Sequence, residues 1–271
     1  MDILYFGTAC DKEYENEITR ITKATYTIAQ NNLERALLNG LYDNEIRNLD
    51  LNCLPVMQYG VLSKGVFVKS ETRNINQNLS TKTFPILKVK FIKELIIILV
   101  TFFRVLKWSF KVQKKEDKIV FNAINYAPVT LVVYILSKIL KFQNVLMLCD
   151  LSKDTYATAR GKNDNHLKST IMRIYLNLIK KIETSFDKYI FLTEPMNKLI
   201  NIHNKPFVIV EGIYNNDLNI SKHIRSSNKN ILIYSGSLFP DYGIEVVLES
   251  FKLTKDPSLE LHIYGSGEAE N

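Results

Sequence analysis

The chain has 271 residues, 46% hydrophobic and 23% charged, with a formal net charge of +7, which is ample for a sizeable core and predicts one large or two unequal domains. Cys10, Cys53 and Cys149 are odd in number, far apart and without CxxC spacing, which argues against a disulfide framework or zinc site and for a reducing cytoplasm. His166, His203, His223 and His262 are equally scattered, so no metal is expected.

The N-terminal "MDILYFGTAC" lacks a basic leader, and its apolar run Ile3 to Phe6 is too short for a signal-peptide core. It reads as a first strand. Ile28 to Leu38 has helical period and ends on Gly40, and Asn48 to Pro55 and Gly65 to Ser70 are candidate strands. Further strands are predicted at Lys118 to Asn122, Val145 to Cys149, Tyr189 to Thr193 and Phe207 to Val210. Helices at Pro128 to Leu140, Leu167 to Ile182 and Met196 to Ile202 fall between them. Such alternation predicts an α/β fold, with a parallel sheet covered by helices on both faces.

The segment "FIKELIIILVTFFRVLKWSFK", Phe91 to Lys111, interrupts that alternation. Its uncharged run, Leu95 to Phe103, is far shorter than the roughly 20 residues of a membrane-spanning helix. Lys88 to Lys118 holds nine Lys/Arg against three acids, so nearly all the net charge sits in one window. Two readings stand. One is a core helix; the other is a helix lying in an anionic membrane surface, with Phe102, Phe103, Trp108 and Phe110 exposed beside the basic residues. No nucleic-acid-binding module accompanies the charge, and nucleic acid is not expected as a partner.

Tyr214 to Lys229 is polar, asparagine-rich and aperiodic, and reads as a linker. After it, Ile231 to Tyr234 is a short strand run broken at Ser235-Gly236-Ser237. Ile244, Val247, Leu248 and Phe251 mark one helical face, and Leu259 to Tyr264 runs into Gly265-Ser266-Gly267. This is one βαβ unit with a glycine turn after each strand. Such units bind ligands at the carboxyl ends of their strands. The expected organisation is a Rossmann-like domain over residues 1–212, a linker over 213–228 and a smaller unit over 229–271.

The stretch "YSGSLFPDYGIEVVLESF…DPSLELHIYGSGE" resembles the opening of the nucleotide-sugar domain of retaining glycosyltransferases with the GT-B fold, in the large family four, particularly the bacterial capsular and exopolysaccharide type. Upstream, "LTEPMNKLINIHNKPFVIVEGI" is similar to the end of that family's first domain, "QNNLERALLNGL" to its early helix and "LMLCDLS" to the strand and loop facing the interdomain cleft. The resemblance implies a transferase that moves a sugar from a nucleotide-sugar donor to a lipid-linked glycan, without a metal or other cofactor. The enzyme would be peripheral on the cytoplasmic face of the membrane.

A nucleotide sugar carries a diphosphate whose leaving-group charge must be met by backbone N–H groups, helix N-termini or cations. The resemblance puts donor binding at Gly236, Ser237, Tyr242, Gly265, Ser266 and Gly267. Ser237 and Tyr242 stand where many relatives have the Arg and Lys that clamp the diphosphate. Gly7 and Thr8 correspond to the cleft floor, and Asp150, after Cys149, to a group that orients or deprotonates the acceptor hydroxyl. Gly236 and Asp150 each have a plain structural reading as well, a tight βα turn and a turn or N-cap aspartate respectively. Arg160 and Lys162 could meet acceptor phosphate or simply belong to a solvated loop.

In the family the donor domain continues through further βα units, including a Glu-x7-Glu segment that holds ribose and sugar. The 43 residues from Lys229 carry two strands and one helix. The expectation is therefore an incomplete donor domain that turns nothing over unless a second polypeptide completes the sheet. The competing reading is a non-catalytic remnant that binds membrane or a partner. A generic nucleotide-binding protein is disfavoured by the lack of GxGxxG and GxxxxGK[ST].

Overall fold

Strand 1 supplies the organising element of the fold, because its residues are buried on both sides and can only be satisfied by neighbours at both edges. The computed structural model describes residues 1–22, 28–55, 67–87, 89–111, 118–124, 126–150, 166–213, 230–236, 238 and 242–265. By internal contacts the chain divides into two units, Met1–Asn215 and Asn216–Asn271.

The first unit begins with β1 (Asp2–Gly7), α1 (Lys12–Thr22), α2 (Ile28–Asp43) and β2 (Asn48–Cys53). Four short strands follow, β3 (Phe67–Val68), β4 (Thr72–Asn74), β5 (Ser80–Thr83) and β6 (Ile86–Leu87), and then the long α3 (Lys90–Lys111). The rest alternates: β7 (Lys118–Asn122), α4 (Ala127–Leu140), β8 (Gln143–Leu148), α5 (His166–Glu183), β9 (Lys188–Phe191), α6 (Glu194–Ile200) and β10 (Phe207–Ile209). Eight strands form one sheet in the order β10-β9-β8-β7-β1-β2-β5-β4. All neighbours are parallel except the edge strand β4, which is antiparallel to β5. The mixed α/β architecture with a mostly parallel sheet is thus compatible with a Rossmann-like fold.

Alternation along the strands divides the core in two. Leu4, Phe6, Val120, Leu146, Leu148, Tyr189 and Phe191 face one side, where α3, α4 and α5 bring Ile97, Trp108, Val133, Leu136 and Ile182. Ile3, Tyr5, Leu51, Phe121, Val145 and Met147 face the other, against Leu37, Leu38 and Leu41 of α2. Helix α2 runs to Asp43, three residues past the glycine where the sequence pattern ended it.

Helix α3 has two apolar faces, one buried in the core and one exposed. Ile97, Thr101, Val105 and Trp108 are buried at i, i+4, i+8 and i+11. The Thr101 hydroxyl donates to the Ile97 carbonyl at 2.7 Å, so it is buried without an open donor. Trp108, expected at a membrane surface on the second reading, is instead 4% exposed, edge-to-face with Phe142 at 5.5 Å. Phe103 and Phe110 are 63% and 86% exposed on the opposite side.

Arg104 then fixes the helix against the sheet. Its guanidinium donates to Asn52 Oδ1 (3.0 Å), to the carbonyls of Lys82 (3.1 Å) and Thr83 (2.7 Å) and to Ser70 Oγ (3.0 Å), with its centre 4.4 Å from the Phe84 ring centroid. Burial lowers its pKa to about 10, so it stays charged at neutral pH. A planar fork with several fixed acceptors is a role lysine cannot fill.

The second unit consists of β11 (Asn230–Ser235), α7 (Ile244–Leu253) and β12 (Leu259–Tyr264), with the two strands parallel. Ile244 is buried on the inner face of α7, Val247 and Phe251 are half-buried and Leu248 is exposed. The linker predicted at Tyr214 to Lys229 lies outside the described residues.

The two faces of α3 predict unequal costs for truncation. Trp108→Ala should destabilise the chain by about 3–5 kcal/mol, the usual range for emptying a buried aromatic site. Phe110→Ala should change stability by less than about 0.5 kcal/mol. Urea denaturation of the two variants checks the pair.

Candidate functional site

In an open parallel sheet, ligands bind outside the carboxyl ends of the strands where the chain order reverses. Here the chain leaves β1 for β2 on one side and returns to β7 on the other, so the reversal lies between β1 and β7. The residues gathered there are the loop Gly7 to Cys10 after β1, Asn122 to Ile124 at the end of β7, and Cys149 and Asp150 after β8. The Ala123 N–H donates to the Phe6 carbonyl at 2.8 Å, drawing the first two segments together.

A carboxylate from α2 organises this rim. Glu34 is fully buried. Its Oε2 accepts from the N–H groups of Thr8 (2.6 Å) and Ala9 (3.2 Å) and from the Tyr5 hydroxyl (3.0 Å). Its Oε1 accepts from the Thr8 hydroxyl (3.0 Å) and from Gln30 Nε2 (2.8 Å). Gln30 Nε2 also donates to the Ala123 carbonyl at 3.0 Å, joining α2 to the end of β7. One turn away, Asn31 Oδ1 accepts from the Cys10 N–H at 3.0 Å.

Three successive backbone N–H groups, Thr8, Ala9 and Cys10, are therefore met from within the protein by α2. Gly7 is glycine for the same reason: a Cβ there would collide with Glu34 Oε2 and the Tyr5 ring. Five donors favour the Glu34 anion, but complete burial opposes it more strongly and raises the pKa to about 7. Burial, with the charges of Glu34 and Asp150, pushes the Cys149 thiol up to about 12. Cys149 is thus a protonated neighbour at neutral pH rather than a nucleophile. Asn122 Oδ1, buried at the end of β7, has no hydrogen-bond partner among the described residues, while its Nδ2 donates to Thr130 Oγ1 at 3.0 Å.

The residues singled out in the sequence fall into separate places. Gly7 and Thr8 lie at the rim of the first unit, Thr8 fully buried with its N–H and hydroxyl both held by Glu34. Asp150 is exposed at the same ends of the sheet. In the second unit, Gly236 and Gly265 meet at the carboxyl ends of β11 and β12, where the Gly236 N–H donates to the Tyr264 carbonyl at 3.0 Å. A Cβ on Gly265 would strike the Gly236 carbonyl, whereas one on Gly236 would make only ordinary contact with the Tyr234 ring. Tyr242 is 66% exposed just before α7. Ser237, Ser266, Gly267, Arg160 and Lys162 lie outside the described residues. Among the described residues no group of three or more His, Cys, Asp or Glu is placed to hold a metal ion.

Glu34 was not singled out by sequence, although a signal was present. Glu34, Leu37, Leu38 and Leu41 recur at i, i+3, i+4 and i+7, which puts the carboxylate on the apolar face of α2. The sequence matches no protein-family model, and a search of curated proteins finds no match either.

Two measurements test this site. Because the folded chain holds the Glu34 proton more tightly than the unfolded chain does, stability should fall as pH rises from its ordinary value of 4.5 to about 7. Relative to Glu34→Gln, which cannot ionise, the wild type should lose about 3 kcal/mol across that window, read as the difference between their urea-unfolding curves at stepped pH. Separately, Gly265→Ala should destabilise the second unit by about 1–3 kcal/mol through overpacking, while Gly236→Ala should be nearly silent. Hydrogen exchange of the β11 and β12 amides would report both.

Proposed function

We propose that the chain is a glycosyltransferase of the GT-B type, or one half of such an enzyme. It would move a sugar from a nucleotide-sugar donor to a lipid-linked glycan, in the synthesis of a capsular or exopolysaccharide at the cytoplasmic face of the membrane. The observation that carries this reading is the β1/β7 reversal, with the loop after β1 held by Glu34 and with Asp150 exposed at the neighbouring strand end. A site of this form positions an acceptor on a rigid sheet, and positioning supplies much of the rate of a bimolecular transfer.

In the proposed reaction the bond from the anomeric carbon to the donor diphosphate breaks, and a bond from that carbon to the acceptor oxygen forms. The acceptor hydroxyl gives its proton to the Asp150 carboxylate. The nucleotide diphosphate leaves with the bonding pair. Within the second unit taken by itself, the Gly236 and Gly265 turns lie at strand ends where a phosphate could approach the backbone.

A second reading is supported by the second unit itself. Among the described residues, β11 and β12 pair only with each other, and Ile233 and Tyr264 are 68% and 58% exposed. A two-stranded parallel sheet of this kind suits completion by another polypeptide, so the active species would be a complex and the chain alone an acceptor-side binder.

The test is transfer of radiolabelled sugar from a panel of nucleotide sugars to extracted lipid-linked glycan, with calorimetry for donor binding. The chain is assayed alone and after incubation with extract from its source. Asp150→Asn should lower kcat by about 10²–10⁴-fold with donor affinity unchanged. Activity only with extract selects the second reading; neither binding nor transfer under either condition rejects both.

A further inference from the structure

The outer face of α3 has no role in the core or in the rim described above. Ile92, Leu95, Leu99, Phe102, Phe103 and Phe110 are between 37% and 86% exposed. At 100° per residue they fall within a stripe roughly 100° wide that runs nearly the length of the helix. A 22-residue helix is about 33 Å long. An exposed apolar strip of that length is far from the scattered single residues of an ordinary surface.

The exposed charged residues of α3 are of one sign. Lys107 and Lys111 are exposed and lie along one flank. Glu94, the only acid in α3, projects away from the stripe, where its carboxylate accepts from the Tyr126 hydroxyl. Among the described residues no helix is long and apolar enough to cross a membrane. Apolar residues along a helix face with cations at their border match the region between acyl chains and anionic headgroups, where an amphipathic helix buries its face about 5–10 Å deep.

We propose that α3 is the docking element of the chain, lying in the plane of an anionic lipid bilayer with Phe103 and Phe110 inserted and Lys107 and Lys111 against the headgroups. Trp108 and Arg104 hold the helix from behind, so the docking face is presented rigidly and need not fold on contact. This rests on the transferase reading only in giving a lipid-linked acceptor a surface on which to be met. Vesicle binding requires no sugar chemistry, so either idea can fail alone.

The experiment is flotation of the purified chain with vesicles of phosphatidylcholine alone or mixed with phosphatidylglycerol, at low and high salt. Binding should require phosphatidylglycerol and weaken with salt. Lys107→Gln with Lys111→Gln should reduce partitioning about 25-fold, roughly fivefold per lysine. Phe103→Gln with Phe110→Gln should reduce it more than about tenfold while leaving the urea midpoint unchanged, since both rings are exposed. Failure to float on anionic vesicles at low salt would overturn the proposal, as would binding that neither pair of substitutions weakens. Sedimentation showing a dimer that the Phe pair abolishes, without vesicle binding, would assign the stripe to self-association instead.

Discussion

The arrangement of the first unit depends on one buried carboxylate. Glu34 reaches from α2 beneath the loop after β1 and accepts from two backbone N–H groups, two hydroxyls and an amide. Without it, the buried Thr8 and Ala9 N–H groups and the Tyr5 hydroxyl would lose this acceptor, at a cost of about 1–3 kcal/mol for each donor left unmet. Its position requires glycine at 7 and brings in Gln30, which ties the same helix to the end of β7. The carboxyl ends of β1 and β7, where the sheet reverses direction, are therefore set by a polar network, while the apolar layers on either face set only how the helices lie.

A second polar anchor performs a comparable task at the other side of the sheet. Arg104 is the one charged residue in the middle of α3, and it binds the carbonyls at the end of β5 along with Asn52 of β2. Asn52 in turn donates from Nδ2 to the Tyr5 carbonyl at 3.1 Å, so the chain of contacts runs from α3 through β2 to β1. Helix α3 can carry apolar residues on two faces because this anchor, together with Trp108, decides which face is inward.

Much of this was legible from the residues. The central strands of the sheet are continuous apolar runs because both of their faces are buried, and that signal is strong in Ile3 to Phe6 and Val145 to Leu148. The edge gave no such signal: "TRN" and "STKT" become β4 and β5 through pairing, with Thr81 and Thr83 the inward positions. Helix α1 was missed because "KEYENEITRIT" offers only Tyr14, Ile18 and Ile21 as an apolar series. For α3, periodicity revealed a helix but could not rank two apolar stripes, so Trp108 was open to either assignment until the packing against Phe142 decided it. At the rim, Gly7, Thr8 and Asp150 come from the family resemblance, at positions that follow strands, whereas Glu34 stands 27 residues beyond Gly7 and acquires its role only when the helix folds back.

The position of β1 in the sheet also bears on how the chain is made. Asp2 pairs with Asn48 on one side and with Lys118, 116 residues later, on the other. At a synthesis rate of about 5–20 residues per second, β1 waits on the order of ten seconds after its own synthesis for its second neighbour. During that interval its β7-side edge and its apolar side chains are open to other strands. Folding of the first unit is consequently gated by translation of the segment through β7, and a nascent chain stalled before that point presents its central strand as an unpaired template.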